Sequence, residues 1–138
     1  MIKKLLFRTT QENSIFNEAT MTALRVIAGL LMAFLHGSGK VPPSEQLING
    51  VTGMGFPAPT LFAWLAGLAE LVGGIFLAVG FLTRPSAFLM AFTMLVAVFG
   101  KHAADPVSVK ELGLIYMCIA LVFVSRGAGR WSVDRFIK

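Results

Sequence analysis

Charge is what this sequence most lacks. Only 14% of its 138 residues are Asp, Glu, Lys or Arg, against roughly 25% in an ordinary soluble domain, which is too little polar surface to coat a water-soluble globule. Cysteine is nearly absent too. Cys118 stands alone inside an apolar run, which excludes an intrachain disulfide and a Cys-x-x-Cys redox pair. With only two histidines, His36 and His102, there is no zinc-ligand set, and neither a nucleotide loop nor a nucleophile motif is present. No metal is therefore expected. Bis-histidine haem ligation is disfavoured, because His102 is followed by Ala-Ala-Asp-Pro at a helix end rather than lying mid-span.

What the chain does have is apolar length. It is 56% hydrophobic with a mean hydropathy of +0.76. A bilayer core about 30 Å thick takes roughly 20 helical residues per span, so the chain holds four spans with short connections. A separate soluble catalytic domain of about 50 residues or more does not fit beside them. A water-soluble bundle of the same helices would need a charged outer face on each. Between Ala58 and Gly100 only Glu70 and Arg84 carry charge, so no such face exists. The fold class expected is all-α, an integral membrane four-helix bundle forming one domain over residues 1–138.

The spans are expected at about 20–39, 59–81, 85–102 and 108–125, followed by a tail over 126–138. Thr83 is a candidate cap for the third, with Pro85 in its first turn, and the glycines after Arg126 stop the fourth. Residues 1–19 read as an amphipathic interfacial segment. In it Leu5, Leu6, Phe7, Ile15 and Phe16 touch lipid while Lys3, Lys4 and Arg8 meet head groups; the apolar run is too short for a signal peptide. In the long connection, 44–53 suits a short helix with Leu47, Ile48 and Val51 turned toward the membrane.

The basic residues sit at segment ends rather than on one polar face, so the net charge of +5 signals topology and not nucleic acid. The stretch through Arg25, the turn at Arg84 and the tail hold nine of the twelve basic residues. Both termini are accordingly expected in the cytoplasm, and Lys40, Lys101 and Lys110 on the opposite side.

Polar residues at membrane depth are the candidates for chemistry, since a charge at the bilayer centre costs about 2.5–3.5 kcal/mol even on lenient scales. Glu70 lies near the middle of the second span. Arg25, Gly29, Met32, His36 and Gly39 recur at helical spacing on the first. Small residues at Gly29, Gly67, Gly73 and Gly74 would let these two helices approach closely. If each span is centred in the bilayer, Arg25 lies about two turns from the level of Glu70 and is its expected partner. That pair is either a structural bridge or the seat of proton exchange with a redox partner. A second group, His36, Lys40, Lys101, His102 and Glu111, is expected to gather toward the opposite leaflet, where it would bind a quinone head group or a small anion. The competing reading is that the lysines snorkel and Glu111 favours a helix N-terminus.

The order of landmarks resembles the DoxX family over about residues 23–136. The residues that carry it are Leu24-Arg25, Phe34-Leu35-His36-Gly37-Ser38-Gly39-Lys40, and Gly53-Met54-Gly55-Phe56-Pro57-Ala58-Pro59. They continue with Ala69-Glu70-Leu71-Val72-Gly73-Gly74, Gly80-Phe81-Leu82-Thr83-Arg84-Pro85, a late His102, Glu111-Leu112 and Gly129-Arg130-Trp131-Ser132-Val133-Asp134. The resemblance implies a multi-pass protein of the bacterial inner membrane. Some relatives are linked to quinone-dependent sulfur oxidation, terminal oxidases or oxidative-stress complexes.

The function expected is therefore a subunit or accessory protein of a quinone-linked redox or oxidative-stress system. Quinone is the cofactor to seek, and the partners are the lipid bilayer, a membrane redox protein and further copies of the chain. Two rivals use the same residues: a small transporter or permeation protein, and a structural membrane scaffold without catalysis.

Overall fold

Four apolar stretches form four long helices in the computed structural model, which describes residues 14–137. Helix α1 (Ile15–Leu31) runs on without a break through a π-helical turn (Met32–Gly37) and a 3-10 turn (Ser38–Lys40). A short helix α2 (Glu45–Gly53) precedes α3 (Pro59–Val79). Helix α4 (Thr83–Val96) ends in a second π-helical turn (Ala97–Lys101), and α5 (Val107–Arg126) is followed by a single turn, α6 (Asp134–Ile137). Among the described residues there is no strand. The stretches long and apolar enough to cross a membrane are Ile15–Lys40, Pro59–Val79, Thr83–Lys101 and Val107–Arg126.

The fold is thus an all-α, four-span membrane bundle. Of the expected interfacial segment, Lys3, Lys4, Leu5, Leu6, Phe7 and Arg8 lie outside the described residues. Ile15 and Phe16 are exposed in the first turn of α1.

Helix α3 packs against α1 on one side and α4 on the other, α4 also packs against α5, and α1 meets α5 over a small area. The shared core joins Ala28 and Met32 of α1, Leu77 of α3, Ala87, Met90, Ala91 and Met94 of α4, and Tyr116, Ala120 and Phe123 of α5. Its alanines and methionines suit a lipid setting, where helices associate by close packing because lipid tails are as apolar as their own side chains. Outside the core, Ile27, Leu35, Leu65, Phe88, Phe92 and Leu121 are all at least half exposed. That apolar belt covers faces that a water-soluble bundle would keep charged.

Local chemistry sets the helix ends. Pro59 opens α3, where its missing N–H costs nothing. At the other end Gly80 takes a left-handed conformation, its N–H bonding the Leu77 carbonyl at 3.1 Å while the Phe81 N–H bonds Phe76 at 2.9 Å. Ser44 caps α2 by accepting from the Leu47 N–H at 3.2 Å. Val51 of α2 is buried, and the helix lies against α3, so this side chain faces protein rather than lipid.

The start of α4 corrects the sequence reading. Thr83 does not cap it: it is the first helical residue, and the cap is supplied from the tail. Asp134 accepts from the Leu82 N–H at 2.8 Å and from the Thr83 N–H at 3.0 Å. Leu82 is thereby held at φ 45°, a left-handed conformation that a side chain of this size seldom adopts without such tethering.

Candidate functional site

The deepest charge in the bundle has a partner, and it is not Arg25. Glu70, 1% exposed at the middle of α3, accepts from the Lys40 ammonium through both carboxylate oxygens, at 2.6 Å to Oε1 and 2.7 Å to Oε2. Three glycines set the register that makes this possible. A Cβ on Gly29 would stand 2.5 Å from the Gly74 carbonyl oxygen, and one on Gly74 would stand 2.7 Å from that of Gly29. A Cβ on Gly67 would meet the Lys40 carbonyl oxygen at 2.6 Å. These are backbone atoms that cannot swing aside, so only glycine permits α1 and its terminal turns to lie this close to α3. Gly73 differs. Its nearest such contact is the Ser86 carbonyl oxygen of α4 at 3.7 Å, ordinary packing that does not demand glycine.

Gly37 belongs with the tight three and escaped the sequence reading: a Cβ there would strike the Leu71 amide nitrogen and the Glu70 carbonyl carbon. Its signal was the pair of glycines flanking Ser38 just before a lysine. With Gly37 at the level of Glu70 and Lys40 at the level of Gly67, α1 ends well inside the length of α3. Gly67 stands eight residues, about 12 Å, from the start of α3. Lys40 therefore reaches Glu70 from a helix terminus that is itself sunk into the bundle, and α2 fills the space beyond.

Arg25 lies elsewhere for the same reason of register. A Cβ on Gly80 would stand 2.9 Å from the Arg25 Cζ, which puts the guanidinium ten residues, about 15 Å, along α3 from Glu70. Arg25 is 2% exposed and donates to main-chain carbonyls of the tail, from Nη1 to Ala128 and from Nη2 to Trp131 at 2.7 Å. The expectation that the spans are centred at one level fails because α1 starts at Ile15 and is slid along α3 until the glycines meet.

The second expected cluster does not assemble. His36 turns its ring edge-on to Tyr116 of α5, with centroids 5.5 Å apart, and Lys40 is engaged by Glu70. His102, just past the second π turn, bonds Asp105 from Nδ1 at 2.6 Å, while Lys101 and Glu111 are exposed. The physical reason is local. The Ala-Ala-Asp turn after His102 brings its own carboxylate back within reach, and Glu111 lies one turn inside α5 on the outward face. What converges is smaller: Lys40, Glu70 and, one turn back from Lys40, the His36–Tyr116 contact. Among the described residues no group of three or more His, Cys, Asp and Glu side chains is placed to hold a metal.

At the opposite end the tail forms a clasp. Arg25 holds it from below, Glu18 accepts from Arg126 at 3.1 Å and from the Arg130 N–H at 3.0 Å, and Arg84 donates to the Ser125 carbonyl at 3.2 Å. The Val133 and Asp134 N–H groups bond the carbonyls of Val79 and Gly80 at 3.2 and 2.8 Å. Burial alone would raise the pKa of Asp134, but the amides of Thr83 and Leu82 and the nearby Arg25 charge outweigh it. They hold the carboxyl below its ordinary value.

This geometry can be set beside known proteins. The family model described as DoxX matches residues 20–103. A Haemophilus influenzae protein described as uncharacterised is 35% identical over 126 residues, covering 83% of this chain and 89% of its own length. Bacillus subtilis "Putative oxidoreductase CatD" is 33% identical over 115 residues, covering 83% and 84%. Escherichia coli inner membrane protein YphA is 34% identical over 80 residues, covering 57% of each chain. No solved structure matches. The matched region takes in the glycine contacts between α1 and α3 and the Lys40–Glu70 pair they create, and with that interior and its four spans the chain belongs to the DoxX family of membrane proteins.

Proposed function

We propose that this chain serves a quinone-linked redox or oxidative-stress system of the bacterial inner membrane, as a membrane subunit or accessory protein. One observation carries the reading. The Lys40 ammonium has three N–H donors; Glu70 engages it through both oxygens, and the side chain remains 34% exposed. A third N–H is therefore left to donate to a carbonyl oxygen arriving from the lipid side, with His36 one turn away as a second polar contact.

The chemistry a quinone supplies when bound is two-electron, two-proton reduction. Around it Lys40 orients the ring and donates the hydrogen bond, Glu70 holds the ammonium in place, and the apolar belt excludes bulk water. The name of CatD, an oxidoreductase designation for a relative of similar length, supports the redox direction. The name of YphA supports the inner-membrane address. The excess of arginine at the clasp end supports a cytoplasmic position for that end.

A second reading has its own support: the glycine contacts of α1 with α3 are enough to explain the pair as a structural bridge in a scaffold. Titration of the purified protein with a water-soluble ubiquinone or menaquinone analogue separates the two. Saturable binding that falls about tenfold or more in a Lys40→Met/Glu70→Leu protein with intact helical content is the expected result, the size of a lost charged hydrogen bond. A His36→Phe protein provides the same comparison with the pair intact. Absence of binding by the wild type, or binding equal in all three, leaves the scaffold. Proton flux in proteoliposomes that depends on Glu70 without any quinone would favour a transporter.

A further inference from the structure

The clasp end holds a cleft that the intramembrane pair does not explain. It has a volume of about 630 Å³ and lies between the α3–α4 turn, the end of α5 and the tail, with Arg84, Arg126, Arg130 and Arg135 in its walls and, among the described residues, Glu18 and Asp134 as its acidic lining. Both carboxylates are already engaged, Glu18 by Arg126 and the Arg130 amide, Asp134 by the amides of Leu82 and Thr83. Among the described residues the guanidinium groups are not saturated. Arg84 makes one bond, to Ser125, and Arg135 makes one at the outer limit of 3.5 Å, to the Arg130 carbonyl, whereas each guanidinium has five N–H donors in a planar fork. Four arginines facing two spent carboxylates leave an excess of positive charge in a space large enough for a head group.

We infer that this cleft binds a phosphate-bearing anion, with Arg84, Arg130 and Arg135 as the forks that grip it. Guanidinium matches phosphate oxygens bidentately and is less strongly hydrated than ammonium, which fits a site built of arginine at the rim of a membrane bundle. The exposed apolar side chains of Val79, Leu82 and Trp131 beside the clasp would carry acyl chains if the anion is a phospholipid. A basic pocket at the end of membrane helices is a recurrent lipid head-group site. A free phosphate offers the same chemistry without the chains.

The test uses full-length protein in mild detergent, given equal amounts of phosphatidylglycerol and phosphatidylethanolamine and read by native mass spectrometry, with an inorganic phosphate titration read by thermal melting. Wild type should retain phosphatidylglycerol preferentially. Arg130→Gln/Arg135→Gln should reduce that preference roughly fivefold per charge, and its clasp should persist because Arg130 contacts Glu18 through its main chain. Arg84→Gln, read separately, serves if the double variant does not fold. Lys110→Gln, which removes a charge at the far end, should leave the preference unchanged. Preference for phosphatidylglycerol that these arginine variants lose identifies a lipid site, and a phosphate-induced rise in melting temperature lost in the same variants, without lipid preference, identifies a soluble anion. Equal retention of both lipids with no phosphate effect, or an effect undiminished by the arginine variants, overturns the inference.

Discussion

The two ends of α1 bury opposite solutions to one problem. Near its C-terminal end Lys40 meets Glu70 side chain to side chain, so the charge is cancelled by one partner on one other helix. Ten residues in from its start, Arg25 is more deeply buried than Lys40 and is held by two main-chain carbonyls, its Nε making no hydrogen bond among the described residues, with Asp134 lending its field from a distance. A paired charge concentrates the cost of any error in one contact. A charge bound by main-chain carbonyls spreads that cost over a loop.

The sharpest way to break this comparison is to remove one member of the pair. Lys40→Met leaves Glu70 alone in an apolar interior and should cost about 3–5 kcal/mol, whereas Lys40→Met/Glu70→Leu should recover most of it; unfolding of both proteins in mixed detergent micelles measures the difference. Gly29→Val comes next. Its new Cβ meets the Gly74 carbonyl oxygen and the Ala78 amide, an overpacking worth about 1–3 kcal/mol, and by pushing α1 off α3 it should weaken the pair as well. A smaller penalty for Gly29→Val in the charge-free background than in wild type is the expected coupling.

Asp134→Ala acts on the other end. Loss of the α4 cap should cost about 0.5–2 kcal/mol, and hydrogen exchange should quicken first at the Leu82 and Thr83 amides while the Lys40 region stays protected. The smallest effect is that of pH. A carboxyl whose pKa is lowered by folding stabilises above its unfolded value, roughly 3.9, and loses that contribution as pH falls through the lower folded value. Wild type should therefore lose clasp stability below about pH 4, and Asp134→Asn should remove that part of the acid dependence. An unchanged acid limb in the variant would assign the loss to other carboxylates.

Much of the fold was legible because it follows from composition. Glu70 and Arg84 as the only charges between Ala58 and Gly100, Pro59 at a helix start and Gly127 after Arg126 are local signals, and each marks a local event. The site was legible only in its parts. Glu70 and Lys40 could both be singled out, but matching them requires the axial offset of α1 on α3, which depends on where backbones touch. Helical spacing puts Arg25 and His36 on one stripe without saying which of them, or Lys40 beyond them, reaches the carboxylate.

The capping of α4 had the same limit. Thr83 is a suitable capping residue by type, but Asp134, 51 positions away, occupies the place because the tail folds back over the turn. His102 and Glu111 were grouped by their nearness to helix ends, but the imidazole is engaged by Asp105, three residues on, while Glu111 is exposed.

By itself the sequence determined that the chain lives in lipid, crosses it in four helices and must shelter a carboxylate within them, since hydropathy and the cost of buried charge act residue by residue. Only the tertiary structure decided which cation meets that carboxylate and that the tail completes the start of α4. Both depend on contacts between segments far apart in the chain, and their register is set where glycine lets one backbone rest against another.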